Sequence, residues 1–105
     1  MDKMNKLNYE TFEEALILWT GWGKEAYPVR DEVRLIDHYG KEKAMDLLAQ
    51  IKLIISQFYM TDAGYESNSL PEMAERAATQ FQDKFPEFPE TIIKIFVWCY
   101  TFDYK

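Results

Sequence analysis

The sequence has almost none of the residues that build disulfide frameworks and metal sites. Among its 105 residues there is one cysteine, Cys99, and one histidine, His38. A lone cysteine excludes an internal disulfide, and a zinc site or a ferritin-like di-iron centre needs several Cys, His or Glu-x-x-His ligands. We therefore expect no metal and no cofactor. A chain without disulfides is typical of a reducing compartment, so we expect a cytoplasmic location.

Long apolar runs are missing as well. The first residues, MDKMNKLNYETFEE, contain no apolar core of the kind found in signal peptides. The most apolar stretch is TIIKIFVWCYTFDYK at 91–105, but its apolar part, Ile92 to Phe102, is interrupted by Lys94. A membrane-spanning helix needs about 20 apolar residues. The sequence therefore predicts neither a signal peptide nor a membrane anchor.

Positive charge is scarce. Lys and Arg together number 12 against 18 Asp and Glu, which gives a formal net charge of −6. Nucleic-acid binding needs clustered Lys and Arg, so we expect no nucleic-acid partner. Between Met60 and Glu90, seven acidic residues stand against Arg76 and Lys84, and this part of the chain holds most of the excess. Such a surface attracts and steers a basic protein.

Catalytic motifs are equally sparse. The sequence carries no Gly-rich phosphate-binding loop. Cys99 lies between two aromatic residues in an apolar segment, which predicts a buried and unreactive thiol. Glu42 and Asp46 are one helical turn apart and could act with His38 as an acid–base set, but such pairs are common on solvated helix faces. We therefore expect a protein that is not an enzyme, with these three residues as the enzymatic alternative.

Apolar residues recur at three- and four-residue steps through much of the chain, a spacing typical of amphipathic helices. Thr11 and Glu14 have the spacing of a capping box and predict the start of a first helix, which Gly21 and Gly23 end. The apolar stripe of this helix comprises Phe12, Ala15, Leu16, Trp19 and Trp22.

A second helix is predicted to open near Pro28 and to end at Gly40 in a left-handed cap. Val29, Val33 and Ile36 are predicted to form its inner face. The third helix, predicted within KEKAMDLLAQIKLIISQFYM, has the broadest apolar stripe. The members of this stripe are Ala44, Leu47, Leu48, Ile51, Ile54, Ile55 and Phe58.

A fourth helix is predicted to begin at a second capping box, formed by Ser69 and Glu72, with Pro71 in its first turn. The run FPEFPE at 85–90 predicts a stiff corner, and Pro89 is predicted to start the last segment. The predicted buried side of the fourth helix comprises Leu70, Met73, Ala74, Ala77, Phe81 and Phe85.

The C-terminal stretch allows two interpretations. Its β-branched and aromatic residues favour a strand, but no second strand is predicted with which it could pair. A helix that is apolar on nearly all sides is typical of the centre of a bundle. We therefore predict an apolar, largely buried C-terminal helix. The whole chain, 1–105, is predicted to form an all-α, compact single-domain bundle of four to five helices.

The most acidic part of the chain predicts the functional surface. We expect a non-enzymatic protein-binding module with a basic partner, and, by analogy of size, charge and helical class, an immunity-type inhibitor of a nuclease toxin. The alternative is a structural or regulatory homo-oligomer, because aromatic residues make up 16% of the chain and could serve as subunit contacts. The predicted partner-binding residues are Asp62, Tyr65, Glu66, Glu72, Glu75, Asp83, Glu87 and Glu90.

Overall fold

The computed structural model describes residues 8–60 and 69–104, which form five α-helices and no strand. This confirms the predicted all-α bundle. Within these residues, no helix is both long enough and apolar enough to cross a membrane. The helices are α1 (Tyr9–Thr20), α2 (Glu32–Tyr39), α3 (Lys41–Tyr59), α4 (Leu70–Lys84) and α5 (Glu90–Asp103).

The start of α1 lies earlier than predicted. Asn8 is the N-cap, and its side-chain oxygen accepts a hydrogen bond from the Thr11 N–H at 3.1 Å. The prediction of a cap at Thr11 is wrong because Asn8 is itself a strong N-cap residue, which places Thr11 inside the first turn. The end of α1 is confirmed, since Gly21 adopts the left-handed conformation and donates its N–H to the Ile17 carbonyl.

Two glycines follow α1, and alanine substitutions at them should distinguish the cost of a left-handed backbone from the cost of side-chain crowding. Gly21 and Gly23 have φ of 82° and 87°, and a Cβ at Gly21 would lie 2.3 Å from Cγ of Glu25, whereas one at Gly23 would meet nothing within 4 Å. Gly23→Ala should cost only the left-handed penalty of about 1–2 kcal/mol. Gly21→Ala should cost more, because Glu25 must also move. Urea denaturation measures both, and equal losses would contradict the crowding at Gly21.

The start of α2 is later than predicted. Pro28 lies in the connection, and Asp31 is the N-cap, with its side chain accepting a hydrogen bond from the backbone N–H two residues on. Between them Arg30 has φ of 57°, a left-handed conformation that interrupts any right-handed helix. The predicted start at Pro28 is therefore wrong.

The predicted inner face of α2 is also largely wrong. Val29 precedes the helix, and Val33 is 56% exposed. Leu35 is the buried residue of α2, with Ile36 partly buried against the core. Gly40 has the positive φ expected of it, 85°, but its ψ of 156° is extended, so it joins α2 to α3 without forming a left-handed helical cap.

The predictions for α3 agree closely with the structure. Those for the buried side of α4 agree in part, because Ala74, Ala77 and Phe81 are buried whereas Leu70, Met73 and Phe85 are only partly buried. α3 follows Gly40 directly and buries six of the seven residues of its predicted stripe. In α4, the Ser69 hydroxyl accepts a hydrogen bond from the Glu72 N–H at 3.3 Å, which is the cap that the sequence predicted. Residues 85–89 form the corner, and Pro89 is the N-cap of α5.

The centre of the bundle is aromatic. Phe96 of α5 is fully buried, and its ring centroid lies 5.5 Å from that of Phe81, 5.6 Å from that of Phe58 and 6.5 Å from that of Phe12. These four rings come from α5, α4, α3 and α1, and α5 packs against all three partner helices. The C-terminal stretch is thus a helix in contact with most of the bundle, and it is not a strand.

Candidate functional site

The outer face of α4 carries three of the predicted partner-binding residues. Glu72, Glu75 and Asp83 lie on the opposite side of the helix from its buried residues, because an α-helix turns through 3.6 residues. The side chains of Glu75 and Asp83 are exposed, and that of Glu72 is partly buried. The helix therefore presents carboxylates to solvent while it packs Ala74, Ala77 and Phe81 into the core.

The structure divides the predicted site into two groups. Glu72 and Glu75 occupy the first two turns of α4, whereas Asp83 lies in the last turn, about 16 Å beyond Glu72 and about 12 Å beyond Glu75 along the axis. Asp83 is joined there by Glu87 in the corner and by Glu90 in the first turn of α5. Asp62, Tyr65 and Glu66 lie outside the described residues.

Two of these carboxylates also stabilise their own helices. Glu72 forms an ion pair with Arg76, and Glu90 forms one with Lys94, each at 3.4 Å and across one helical turn. Both acids stand in the first turn, where the helix dipole favours negative charge. Exposed pairs of this kind contribute about 0.3–0.5 kcal/mol. Their contribution to helix stability therefore explains part of the reason why Glu72 and Glu90 are acidic.

Asp83 is different, because its position in α4 opposes folding. It stands in the last turn, where the helix dipole disfavours negative charge by about 0.3–1 kcal/mol. The adjacent cation, Lys84, directs its Nζ to Gln57 of α3 at 3.1 Å. Among the described residues, Asp83 has no ion pair. The stability of α4 therefore does not explain the presence of Asp83.

A polar cluster that the sequence analysis did not predict lies where α3 and α5 end. Nη2 of Arg30 is 2.8 Å from both carboxylate oxygens of Asp103, and the Tyr59 hydroxyl donates to the same carboxylate. Arg30 and Asp103 are 73 residues apart in the chain, so no local motif could connect them. The cluster holds the last turn of α5 against the α1–α2 connection.

Cys99 lies beside this cluster and is fully buried. Burial raises the pKa of its thiol to about 11, although the nearby Arg30 guanidinium acts in the opposite direction. The thiolate is the nucleophilic form of cysteine, so at neutral pH this thiol is almost entirely unreactive. The structure thus gives no support to nucleophilic catalysis by Cys99.

The raised pKa of Tyr59, which belongs to the same cluster, predicts that the protein loses stability at high pH. Burial, and then the hydrogen bond to Asp103, raise the pKa of Tyr59 above its ordinary value of 10.0. Above about pH 9 to 10 the unfolded chain releases protons that Cys99 and Tyr59 keep in the fold, so the free energy of unfolding should fall as the pH rises.

Urea unfolding between pH 8 and pH 11 measures this fall. Tyr59→Phe should make the decline above pH 10 shallower, by up to about 1.4 kcal/mol per pH unit. Tyr27→Phe, at a tyrosine that is 53% exposed, is the matched control. An unchanged slope in Tyr59→Phe would contradict the prediction.

An open aromatic cleft lies at the end of the bundle where α4 begins and α5 ends. The rings of Tyr27 and Phe102 stack with centroids 5.8 Å apart and planes inclined by 14°. Trp98 also lines the cleft, and its ring meets that of Trp22 edge to face with centroids 5.2 Å apart. The cleft has a volume of about 330 Å³, and its described lining residues are Ala26, Tyr27, Leu70, Trp98, Thr101 and Phe102.

The three residues of the enzymatic alternative, Glu42, Asp46 and His38, do not line one cleft in the structure. Glu42 and Asp46 line a shallow cleft of about 680 Å³ at the start of α3, but His38 does not line it. The Nε2 atom of His38 lies 3.4 Å from a carboxylate oxygen of Glu14 on α1. The same carboxylate accepts a hydrogen bond from the Tyr39 hydroxyl. His38 therefore joins α2 to α1 and stays apart from the carboxylate pair.

The remaining observations assign no chemistry to the chain. Within residues 8–60 and 69–104, no group of three or more His, Cys, Asp and Glu side chains could hold a metal ion. Comparison of the chain with protein-family models, with curated proteins and with solved structures gives no match. Any function must therefore be argued from the surfaces described above.

Proposed function

We propose that the chain is a non-enzymatic protein-binding module that binds a basic protein through its acidic half, residues 60–90. The observation that carries this proposal is the position of Asp83. This exposed carboxylate costs helix stability where it stands, and Glu87 and Glu90 follow it in the adjoining corner and first turn. Carboxylates on an exposed corner attract and orient a cationic partner before contact.

The buried, protonated state of Cys99 supports a non-enzymatic role, because it removes the only thiol nucleophile. We place the protein in the cytoplasm, where an unpaired thiol stays reduced. An immunity-type inhibitor fits this proposal. A nuclease toxin carries a basic cleft for nucleic acid, and an acidic helical surface is complementary to such a cleft. The partner is therefore expected to be a basic protein, such as a nuclease toxin domain.

Recovery of the partner from the native host tests the proposal. The protein is expressed at its natural level and isolated at low salt, and the proteins that accompany it are identified. We expect one stoichiometric basic protein that is released as the salt concentration rises, because salt screens exposed charges. Glu75→Lys combined with Asp83→Lys should abolish its recovery. A partner whose recovery survives both high salt and this double substitution would refute the acidic half as the binding surface.

A homo-oligomer is the second candidate, favoured by exposed rings at one end of the bundle. Tyr27, Phe102 and Tyr104 are 53%, 41% and 50% exposed. An aromatic side chain offers about 150–250 Å², so these three supply roughly 300 Å² per copy, well below the roughly 800 Å² per partner of a standard interface. We therefore rank this candidate second. Sedimentation of a dimer at micromolar concentration would reverse the order.

A further inference from the structure

The connection between α1 and α2 is long for a helical bundle. α1 ends at Thr20 and α2 begins at Glu32, so the connection comprises the 11 residues 21–31, whereas helix–helix connections in bundles usually have about 2–8 residues. Six residues of this connection, which we name the strap, are exposed, and only Gly21 and Pro28 are buried. A segment that buries so little surface can open at a lower cost than the helices around it.

Three side-chain pairs hold the strap against the last two turns of α5. Each pair joins one residue of the strap to one residue of α5, and the contacts follow the same order along both segments. The pairs are Trp22 with Trp98, at a centroid distance of 5.2 Å, Tyr27 with Phe102, at a centroid distance of 5.8 Å, and Arg30 with Asp103, at 2.8 Å between Nη2 and Oδ1.

The backbone hydrogen bonds of the strap lead to another helix. Val29 and Asp31 donate their N–H groups to the carbonyls of Thr20 and Trp19, each at 2.9 Å, at the end of α1. Among the described residues, no backbone hydrogen bond joins the strap to α5. Side chains therefore hold the strap on α5, and of the three pairs only the ion pair is charge-assisted and directional.

The backbone of Arg30 also favours release of the strap. Its φ of 57° is the only positive φ outside glycine among the described residues, and a residue with a Cβ is disfavoured in this left-handed conformation. Such a conformation persists where the surrounding contacts enforce it. Once the ion pair with Asp103 breaks, Arg30 can return to an ordinary backbone conformation, and this relief lowers the cost of the open state.

We propose that the strap opens as a unit while the five helices stay folded, and that the ion pair between Arg30 and Asp103 is the fastening that keeps it closed. In the closed state the strap covers the end of α5. In the open state the rings of Trp98 and Phe102 are uncovered and present an aromatic surface. The acidic half takes no part in this device, so its failure would leave the proposed function intact.

Hydrogen exchange of the backbone amides, followed by NMR at increasing urea concentrations, tests this proposal. A local opening exposes little surface, so its free energy hardly depends on urea, whereas that of global unfolding depends on it steeply. We expect the amides of Val29 and Asp31 to exchange at rates almost independent of urea at low concentrations. The amide of Phe96, which is fully buried at the centre of the bundle, should instead follow global unfolding.

Asp103→Asn removes the charge of the fastening and keeps the size of the side chain. We expect this variant to speed exchange at Val29 and Asp31 about threefold to tenfold relative to Phe96, because a partly exposed ion pair that engages both carboxylate oxygens is lost. The measurement is the ratio of the exchange rates in the variant and in the original protein.

Glu25→Gln is the matched control. Glu25 also lies in the strap and forms an ion pair at 2.8 Å, but its partner, Arg34, belongs to α2 and not to α5. Loss of the same charge at this position should change the exchange of the strap amides by less than about twofold.

Three results would overturn the proposal. Exchange at Val29 and Asp31 with the urea dependence of Phe96 would show that the strap opens only when the whole protein unfolds. Equal acceleration of all three amides by Asp103→Asn would show that the ion pair acts on global stability alone. An effect of Glu25→Gln as large as that of Asp103→Asn would show that the ion pair to α5 is not the fastening.

Discussion

Phe96→Ala should destabilise the protein by about 3–5 kcal/mol, the largest effect that we expect from a single substitution. Phe96 is fully buried and contacts Phe12, Phe58 and Phe81 edge to face. Its removal leaves a cavity bounded by rings from three other helices, and these helices cannot all move inward to fill it. Since small domains are stable by only about 5–15 kcal/mol, the variant should be partly unfolded at 37 °C.

Chemical denaturation followed by circular dichroism measures the loss. Phe96→Leu should cost less and remain folded, so that it gives a value even if Phe96→Ala does not fold. Phe102→Ala, on the same helix but at an exposed position, is the control, for which we expect a change below about 1 kcal/mol. A similar loss at Phe96 and Phe102 would mean that the aromatic centre does not determine stability.

The double substitution Glu75→Lys with Asp83→Lys should slow association with the proposed basic partner at least about tenfold at low salt. Both side chains are exposed, and the change replaces attraction by repulsion at the surface that we propose meets the partner. Stability should hardly suffer. A lysine at position 83 favours the end of α4 by about 0.3–1 kcal/mol, because it complements the helix dipole.

Stopped-flow association rates at several salt concentrations measure this effect. The matched control is Asp37→Lys with Asp46→Lys, which changes the net charge equally but at exposed positions on α2 and α3. At physiological salt the control should keep most of the original rate, because the Debye length there is about 8 Å. If both double variants slow association alike, net charge and not the acidic half governs binding.

The sequence predicted those parts of the fold that depend on neighbouring residues. The Ser69 N-cap and the apolar stripe of α3 were predicted from residues three and four positions apart, and the structure confirms both. The start of α2 was not, because it depends on Arg30, whose left-handed backbone accompanies an ion pair with a residue 73 positions away. An interaction at that distance leaves no periodicity in the sequence.

For the candidate site, the sequence indicated which region is acidic but not how its residues are arranged in space. Acidic composition indicated the acidic half, but only the structure shows that Glu72 and Glu75 lie in the first two turns of α4 and Asp83 in its last turn. The aromatic cleft was missed because Tyr27, Leu70 and Phe102 come from three separate parts of the chain. The one available signal was the excess of aromatic residues, which indicates that some must be exposed without indicating which.

The long-range contacts of Asp103 also bear on the lifetime of the native state. Helices adjacent in sequence, α2 with α3 and α4 with α5, form the most extensive contacts and can pair early, since short loops close at little entropic cost. The links from Asp103 to Arg30 and Tyr59 span 73 and 44 positions, so we expect them to form after these two helix pairs have formed. Interactions absent from the folding transition state act on the unfolding rate. We therefore expect substitution of Asp103 to raise the unfolding rate more than it lowers the folding rate.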